Sequence, residues 1–369
     1  MDLATIRTYC TYCPKLCRHA CPVAEAERTE VATPTFKQQV ALLASTGERP
    51  LDAGRAEALY KCTDCRATVP ACRHRIDVGG SLREARVEAV RQGVAPPAAG
   101  RVAERFAATG SPYALDLRAR VAAAVPGGLS TVGAVGVLPS CTTAAHRPEA
   151  LDRVVGALRR AGVDAHAALP DPPCCGDPLD ALGHEDAFRL HAARVAASLG
   201  GFEAVAVEGG ACAHALLARY RAVGVRVPFK VLPLVDLLAQ RLPPAGEKTR
   251  ARHAYHDPCN LGRKLGRYEQ PRAVVRALTG ADPVELAPAR DGGLCAGGGG
   301  GYPVTNPDGA RGCAARVLEA FRASGAEVLV SGCPSAARLI AKADPTVRVT
   351  DLTGLVAGQG QADGVPAGA

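Results

Sequence analysis

The sequence predicts an α+β multidomain chain: an all-helical N-terminal module followed by two repeated α/β units. Three observations predict it. Seven cysteines fall in two short runs within the first eighty residues, between stretches of helical periodicity. Beyond residue 130, short apolar strands alternate with helical stretches, the pattern of a mainly parallel sheet. The pieces of that second part then recur in the same order at nearly the same spacing, as a duplication leaves them.

Length and composition set the frame. The chain has 369 residues, enough for two or three domains with their own cores. Apolar residues make up 47% and charged residues 22%, a soluble globular balance. Tryptophan is absent, whereas there are 40 Gly and 28 Pro, so loops are abundant. The start, MDLATIRTYC, shows no apolar core of a signal peptide. The longest uncharged stretch, Val121 to Ala145, is broken by Pro126, Gly127, Gly128 and Pro139 and reads as a loop and a strand rather than a membrane span. A reducing, cytoplasmic setting is therefore expected, where fifteen cysteines do not form a disulfide framework. The formal charge of +8 comes with no basic block interleaved with aromatics, so no nucleic-acid partner is expected.

The N-terminal module covers residues 1–93. Its first run reads Cys10-x2-Cys13-x3-Cys17-x3-Cys21-Pro22, and its second reads Cys62-x2-Cys65-x6-Cys72. The bacterial ferredoxin run is C-x2-C-x2-C-x3-C-P, with the fourth cysteine ligating the other cluster. The first run matches with one extra residue before Cys17; the second matches with Thr68 at the third-cysteine position, and Arg73 stands where the proline would be. The spacing has a geometric reason. A tight turn wraps three irons of a cubane, and the fourth iron takes its thiolate from elsewhere. Cys10, Cys13, Cys17 and Cys72 are thus expected to hold one [4Fe–4S] cluster. Cys21, Cys62 and Cys65 are expected to hold a second, with Thr68 leaving a three-thiolate [4Fe–4S], a [3Fe–4S] or an empty site open. Zinc takes paired C-x2-C as well, but a four-cysteine run closing on Cys-Pro points to clusters. His19, inside the first run, reads as a backbone partner rather than a ligand.

Helices fill the spaces between. TPTFKQQVALLAST has Thr33 as cap, Pro34 in the first turn, and Phe36, Val40 and Leu43 on one face. GRAEALY and SLREARVEAVRQG read as helices too. Residues 94–130 form a connecting segment with one or two short helices.

The first α/β unit spans residues 131–245. VGAVGVLPSC ends at Cys141, CCGDP carries Cys174 and Cys175, and GFEAVAVEGGAC delivers Cys212. The second spans 250–356, followed by a flexible tail over 357–369. HAYHDPC ends at Cys259, LCAGGGGGY carries Cys295, and GAEVLVSGC delivers Cys333. Cysteines at strand-to-helix turns lie at one edge of a parallel sheet, where ligands bind. Superposing GFEAVAVEG on GAEVLVSGC sets Gly209 against Cys333, Cys212 against Ala336 and Cys175 against Ala296. The first unit then keeps four of five ancestral thiols, and the second keeps three, leaving a position for water or a substrate.

Other residues have two readings. His256 and Asp257, just before Cys259, either relay protons or tune a metal centre from beside it, or only fix a turn. The glycine run reads as a turn that lets backbone approach a cluster; it lacks the Lys-Ser/Thr of a phosphate loop. His214 reads as a solvated helix residue. Cys313 reads as a buried small hydrophobe, or as a fourth ligand for the second unit.

CCGDP, YHDPCNLGR, YEQPRAVV and CAGGGGGYP together carry a resemblance over residues 5–355. The chain resembles a family with two CCG-type cysteine-rich domains behind a two-cluster ferredoxin module. It includes the iron–sulfur subunits of glycolate oxidase and anaerobic glycerol-3-phosphate dehydrogenase, and the D-type and B-type subunits of heterodisulfide reductase. The resemblance implies an iron–sulfur electron-transfer subunit. It would take electrons from an FAD-containing dehydrogenase subunit, or another redox protein, and pass them to a quinone or other acceptor. Peripheral membrane association would come through a partner. In the heterodisulfide reductase branch, five thiolates of one CCG domain hold a non-cubane cluster, which implies the alternative of a catalytic subunit reducing a disulfide or related sulfur substrate. Neither copy here has all five, and Asn260 replaces the usual histidine, so a further iron–sulfur cluster, a zinc ion or no metal stands open for Cys141, Cys174, Cys175 and Cys212 and for Cys259, Cys295 and Cys333.

Overall fold

The computed structural model describes residues 1–244 and 248–358. Most of the tail expected over 357–369 lies outside the described residues, as does residue 245. The first 131 residues are helical, without a strand. The helix Leu3–Tyr12 starts on Asp2, whose carboxylate accepts from the Thr5 N–H at 2.8 Å. The helix Pro34–Ser45 starts on Thr33, whose hydroxyl accepts from the Phe36 N–H at 3.3 Å, with Pro34 in its first turn.

That helix buries Val40 but also side chains off the face it shares with Phe36 and Leu43. Phe36 and Leu43 are only half-buried, whereas Lys37 and Gln38 are buried. The helices Leu3–Tyr12, Ala53–Leu59 and Val78–Arg91 all pack on it, so contact extends round most of its surface. Its buried polar groups find partners. Lys37 Nζ donates to the Lys61 carbonyl at 2.5 Å, and Gln38 bridges the Val78 carbonyl and the Ser81 hydroxyl. The connecting segment carries two helices, Pro97–Thr109 and Leu117–Ala124.

Two four-stranded parallel sheets follow. The first contains β1 (Val132–Leu138), β2 (Ala165–Ala167), β3 (Gly201–Val207) and β4 (Lys230–Pro233), in the order β2-β1-β3-β4. The second contains β5 (His253–His256), β6 (Val284–Glu285), β7 (Val328–Ser331) and β8 (Arg348–Asp351), in the order β6-β5-β7-β8. The two orders are the same copy for copy, so the duplication read from cysteine spacing extends to strand topology. Register pairs Val137 with Ala206 in one sheet and Tyr255 with Val330 in the other. Parallel pairing requires crossovers. The helices Glu149–Arg160, Glu185–Ser198, Glu269–Thr279 and Pro307–Ser324 supply them and turn Leu151, Val154, Val195, Val275 and Val317 into the core.

The helical segment is fastened to both sheets. Arg86 is fully buried and donates to four carbonyls. Two, Leu59 at 3.0 Å and Cys62 at 2.9 Å, belong to the helical segment; Ala181 at 2.7 Å lies in the first unit, and Gly300 at 2.8 Å in the second. Asp64 pairs with Arg83 at 2.6 Å and with Lys264 of the second unit at 2.7 Å. Arg83 in turn lies 3.2 Å from Asp180 of the first unit. Among the described residues, no helix is long and apolar enough to cross a membrane.

Candidate functional site

The first cysteine run wraps a short turn. Cys10 lies in the last turns of the helix Leu3–Tyr12, and Cys13 follows it in extended backbone. Cys17 and Cys21 flank the 3-10 turn Arg18–Ala20, on which His19 is exposed. Cys72 closes the short helix Thr68–Ala71 and comes in from the second run. Burial, then the neighbouring Cys13, Cys17 and Cys72, push the Cys10 thiol up to about 12. Cys17 is pushed up to about 11 by burial, then by Cys13, Cys72 and Cys21. Cys10 and Cys17, raised in this way beside Cys13 and Cys72, gain by sharing a cation with them, because a thiolate is costly beside other thiolates. The Lys15 N–H, in left-handed backbone, already points at Cys13 Sγ from 3.3 Å.

The second run makes a tighter turn, with Asp64 and Arg66 in left-handed backbone on either side of Cys65. Non-glycine residues held there store strain, which clusters at functional sites. The Asp64 N–H points at Cys62 Sγ from 3.4 Å, and Lys37 Nζ stands 4.0 Å from Cys21 Sγ. Thr68 is buried at the start of the helix Thr68–Ala71. Cys65 also lies against the second α/β unit. A hydrogen bond from Cys295 holds its thiol low, reinforced against burial by Arg263 and Thr63. Arg263 Nε donates to the Cys65 carbonyl at 2.6 Å, and Nη1 of the same side chain donates to Gly293 at 2.7 Å. The glycine run completes this contact. A Cβ on Gly299 would collide with the Thr63 carbonyl oxygen, and one on Gly300 with that of Cys62. The run therefore admits the backbone of the second cysteine turn.

In the first unit, all four predicted cysteines meet at the carboxyl edge of the sheet. Cys141 opens the helix Cys141–His146 after β1, Cys174 and Cys175 follow β2, and Cys212 lies in the helix Gly210–His214 after β3. Cys175 is central: hydrogen bonds with Cys174 and Cys212 pull its thiol down; Cys174 is pushed up by its bond with Cys141 and then by that with Cys175, and Cys212 is pushed up by its bond with Cys175. Tyr220 donates to the Cys175 carbonyl at 2.9 Å, and His191 Nε2 lies 2.7 Å from that of Cys174.

The second unit gathers Cys259 and Cys295, with Cys65 beside them. Cys333 starts the helix Pro334–Ala343; burial, reinforced by the Cys259 thiol, pushes its own thiol up to about 12 against bonds from the Ala336 and Ser335 N–H groups.

His256 is buried with both ring nitrogens engaged, Nδ1 with the Ser331 hydroxyl at 3.0 Å and Nε2 with the Leu294 carbonyl at 2.9 Å. Asp257 accepts both Arg272 Nη atoms at 2.9 Å and the Arg290 N–H at 2.8 Å. These contacts tie the end of β5 to β7 and to the loop before Cys295. His214 is buried rather than solvated: its helix packs on the second unit, where a Cβ on Gly210 would sit 2.8 Å from the Leu261 nitrogen. Burial, then Lys264, push its imidazole down to about 3. Cys313 lies in the helix Pro307–Ser324, in a small apolar cluster with Cys21.

The sets are thiols in threes and fours on neighbouring turns. That donor chemistry fits clusters, whose thiolates each take a different iron.

The fold and site define a class: a duplicated α/β protein with thiol sets on the carboxyl edges of both sheets, capped by a helical segment that brings thiols of its own. Residues 135–216 and 253–336 match the family model of the cysteine-rich domain, CCG, and the chain carries two domains of that family. It is similar to the B-type subunit of the fumarate reductase (CoM/CoB) of Methanothermobacter marburgensis, 27% identical over 86% of this chain and 64% of the relative. It is similar to a probable membrane-anchored ferredoxin of Chromohalobacter salexigens, 30% identical over 77% of this chain and 45% of the relative. It is also similar to the D-type subunit of the dihydromethanophenazine:CoB–CoM heterodisulfide reductase of Methanosarcina acetivorans, 29% identical over 81% of this chain and 77% of the relative. The first two relatives are thus matched over less than two thirds of their length. The chain is homologous to iron–sulfur oxidoreductase subunits.

Proposed function

We propose that the chain is an iron–sulfur electron-transfer subunit. It takes electrons from a partner, most simply an FAD-containing dehydrogenase subunit, and delivers them to a quinone or other acceptor. Cys10, Cys13, Cys17 and Cys72 would hold one [4Fe–4S] cluster, and Cys21, Cys62 and Cys65 a second. When bound, such clusters supply one-electron carriers whose potentials follow burial and hydrogen bonding around the sulfurs. One observation carries this reading: the thiol sets adjoin one another. Cys17 neighbours Cys21, and Cys65 neighbours Cys259 and Cys295. Electron transfer falls off steeply with distance, so contiguous sets suit a relay. The protein's part is to hold the sets rigid and dry, through Arg86, Arg263 and the Asp64–Lys264 pair. The setting is the cytoplasmic side, with any membrane contact made through the partner.

A second reading is favoured by a cavity of about 450 Å³ beside Cys141. Tyr113, Arg105, Arg311 and Lys342 line it. An anionic disulfide or related sulfur substrate could be reduced there by the metal centre of the first unit.

Anaerobic purification followed by iron, zinc and sulfide analysis tests both readings at once. Iron and sulfide in cluster stoichiometry are expected; zinc without sulfide would refute both. Turnover of a small disulfide by the isolated chain would favour the second reading. Cys295→Ser is expected to abolish electron delivery with the cognate partner while the signal of the Cys10–Cys72 cluster persists.

A further inference from the structure

The second cysteine run lacks one thiolate, because Thr68 stands at its third position. The fold brings a thiol to the same neighbourhood from 245 residues further along, Cys313 in the helix Pro307–Ser324. This helix lies along the short helix Pro22–Glu27, which begins directly after Cys21. The approach is close because the facing positions are small: a Cβ on Gly312 would lie 3.1 Å from the Ala26 Cβ, and one on Gly309 would collide with the Tyr302 hydroxyl. Tyr302 donates to Glu27 at 2.6 Å, and Lys61 bridges Glu27 at 2.7 Å and Asn306 at 3.2 Å, so the two helices are locked in register. Cys313 Sγ ends 3.5 Å from the Pro22 carbonyl oxygen and shares one buried cluster with Cys21, Val23, Ala24 and Tyr302. Gly297, at φ +87°, packs its backbone on the same thiol: a Cβ there would lie 3.0 Å from the Cys313 Cβ.

We infer that Cys313 is the fourth thiolate of the second N-terminal cluster, completing a set with Cys21, Cys62 and Cys65. The α/β unit thereby supplies the ligand that the helical segment lacks. Besides burial, the groups that act most strongly on the Cys313 thiol are Cys65 and then Cys21. Lys37, buried beside Cys21 and facing Cys62, offsets part of the negative charge that four thiolates bring.

The inference rests on the second run holding a cluster, and the test separates the two. Whole-chain protein is prepared anaerobically as wild type, Cys313→Ala and Cys313→Val, and read by iron per chain and low-temperature EPR in oxidised and dithionite-reduced states. Wild type should show two N-terminal cubane signals and no three-iron signal. Both variants should lose about one iron per chain and gain an oxidised three-iron signal, with the Cys10–Cys72 cluster unchanged. Valine keeps the buried apolar volume, so unchanged iron and spectra in Cys313→Val would overturn the inference. Joint loss of both N-terminal signals in both variants would overturn it too, since it would mark Cys313 as a packing residue. A wild type with a single N-terminal cluster would instead refute the two-cluster reading beneath it.

Discussion

Arg86 shows how much of this molecule hangs on single side chains. Its guanidinium is buried, has no carboxylate ion pair among the described residues, and is satisfied by four carbonyls from three parts of the chain. A fork of five donors can do this; an ammonium cannot. Arg86→Ala should therefore destabilise the protein by about 3–5 kcal/mol, the range for breaking a buried charged network. Arg86→Lys should recover only part of it, measured as the urea midpoint of the first unfolding transition. Arg272→Leu should cost a similar amount, about 3–5 kcal/mol, because it strips the buried Asp257 of its cation. Cluster EPR spectra should stay unchanged in that variant if Asp257 only fixes the turn. Cys17→Ser belongs with these on the metal side. It should lower iron by up to about four atoms per chain, since a hydroxyl is a poor ligand for cluster iron, and an unaltered iron content would refute the assignment of the first set.

At the scale of elements, the glycine run and the second cysteine turn act as one unit. Gly300 has φ +65°, and its missing side chain is what admits the Cys62 carbonyl. Gly300→Ala would incur both a left-handed alanine and a collision with backbone, which cannot yield as a flexible side chain would. The turn carrying Cys62 and Cys65 should then be displaced. We expect the second cluster's iron and EPR signal to be lost and the first cluster's signal to remain. Gly298→Ala is the control, since its Cβ would meet only the far end of Leu339 at 3.4 Å. Equal loss in both variants would show that the loop, not the contact, matters.

The whole molecule is a duplication on which a helical segment has become dependent. Both sheets share one strand order, yet their cysteine sets differ. The first unit closes its own set of four thiols, whereas the second shares its neighbourhood with Cys65. A fragment ending at residue 130 should accordingly assemble the first cluster and fail to hold the second, because Arg263, Lys264 and the glycine run would be missing. Anaerobic reconstitution of that fragment, read by iron content and EPR, checks this. Two stable clusters in the fragment would show that the helical segment is self-sufficient.

Much of this architecture is written locally. Strands such as VGAVGVL and helices such as Glu149–Arg160 follow from apolar periodicity, caps such as Thr33 from one hydroxyl before a helix, and the cysteine groups from their spacing around turns. The repeat is legible because both copies kept the same pieces in the same order. What only the tertiary structure decides is long-range. No local pattern marks Arg86 as the joint of three parts, places Cys65 against Cys295, buries His214, or brings Cys313 to Cys21. In each case the deciding contacts come from residues tens to hundreds of positions apart, and their energies depend on excluding water from a junction that exists only once both sheets and the helical segment have docked.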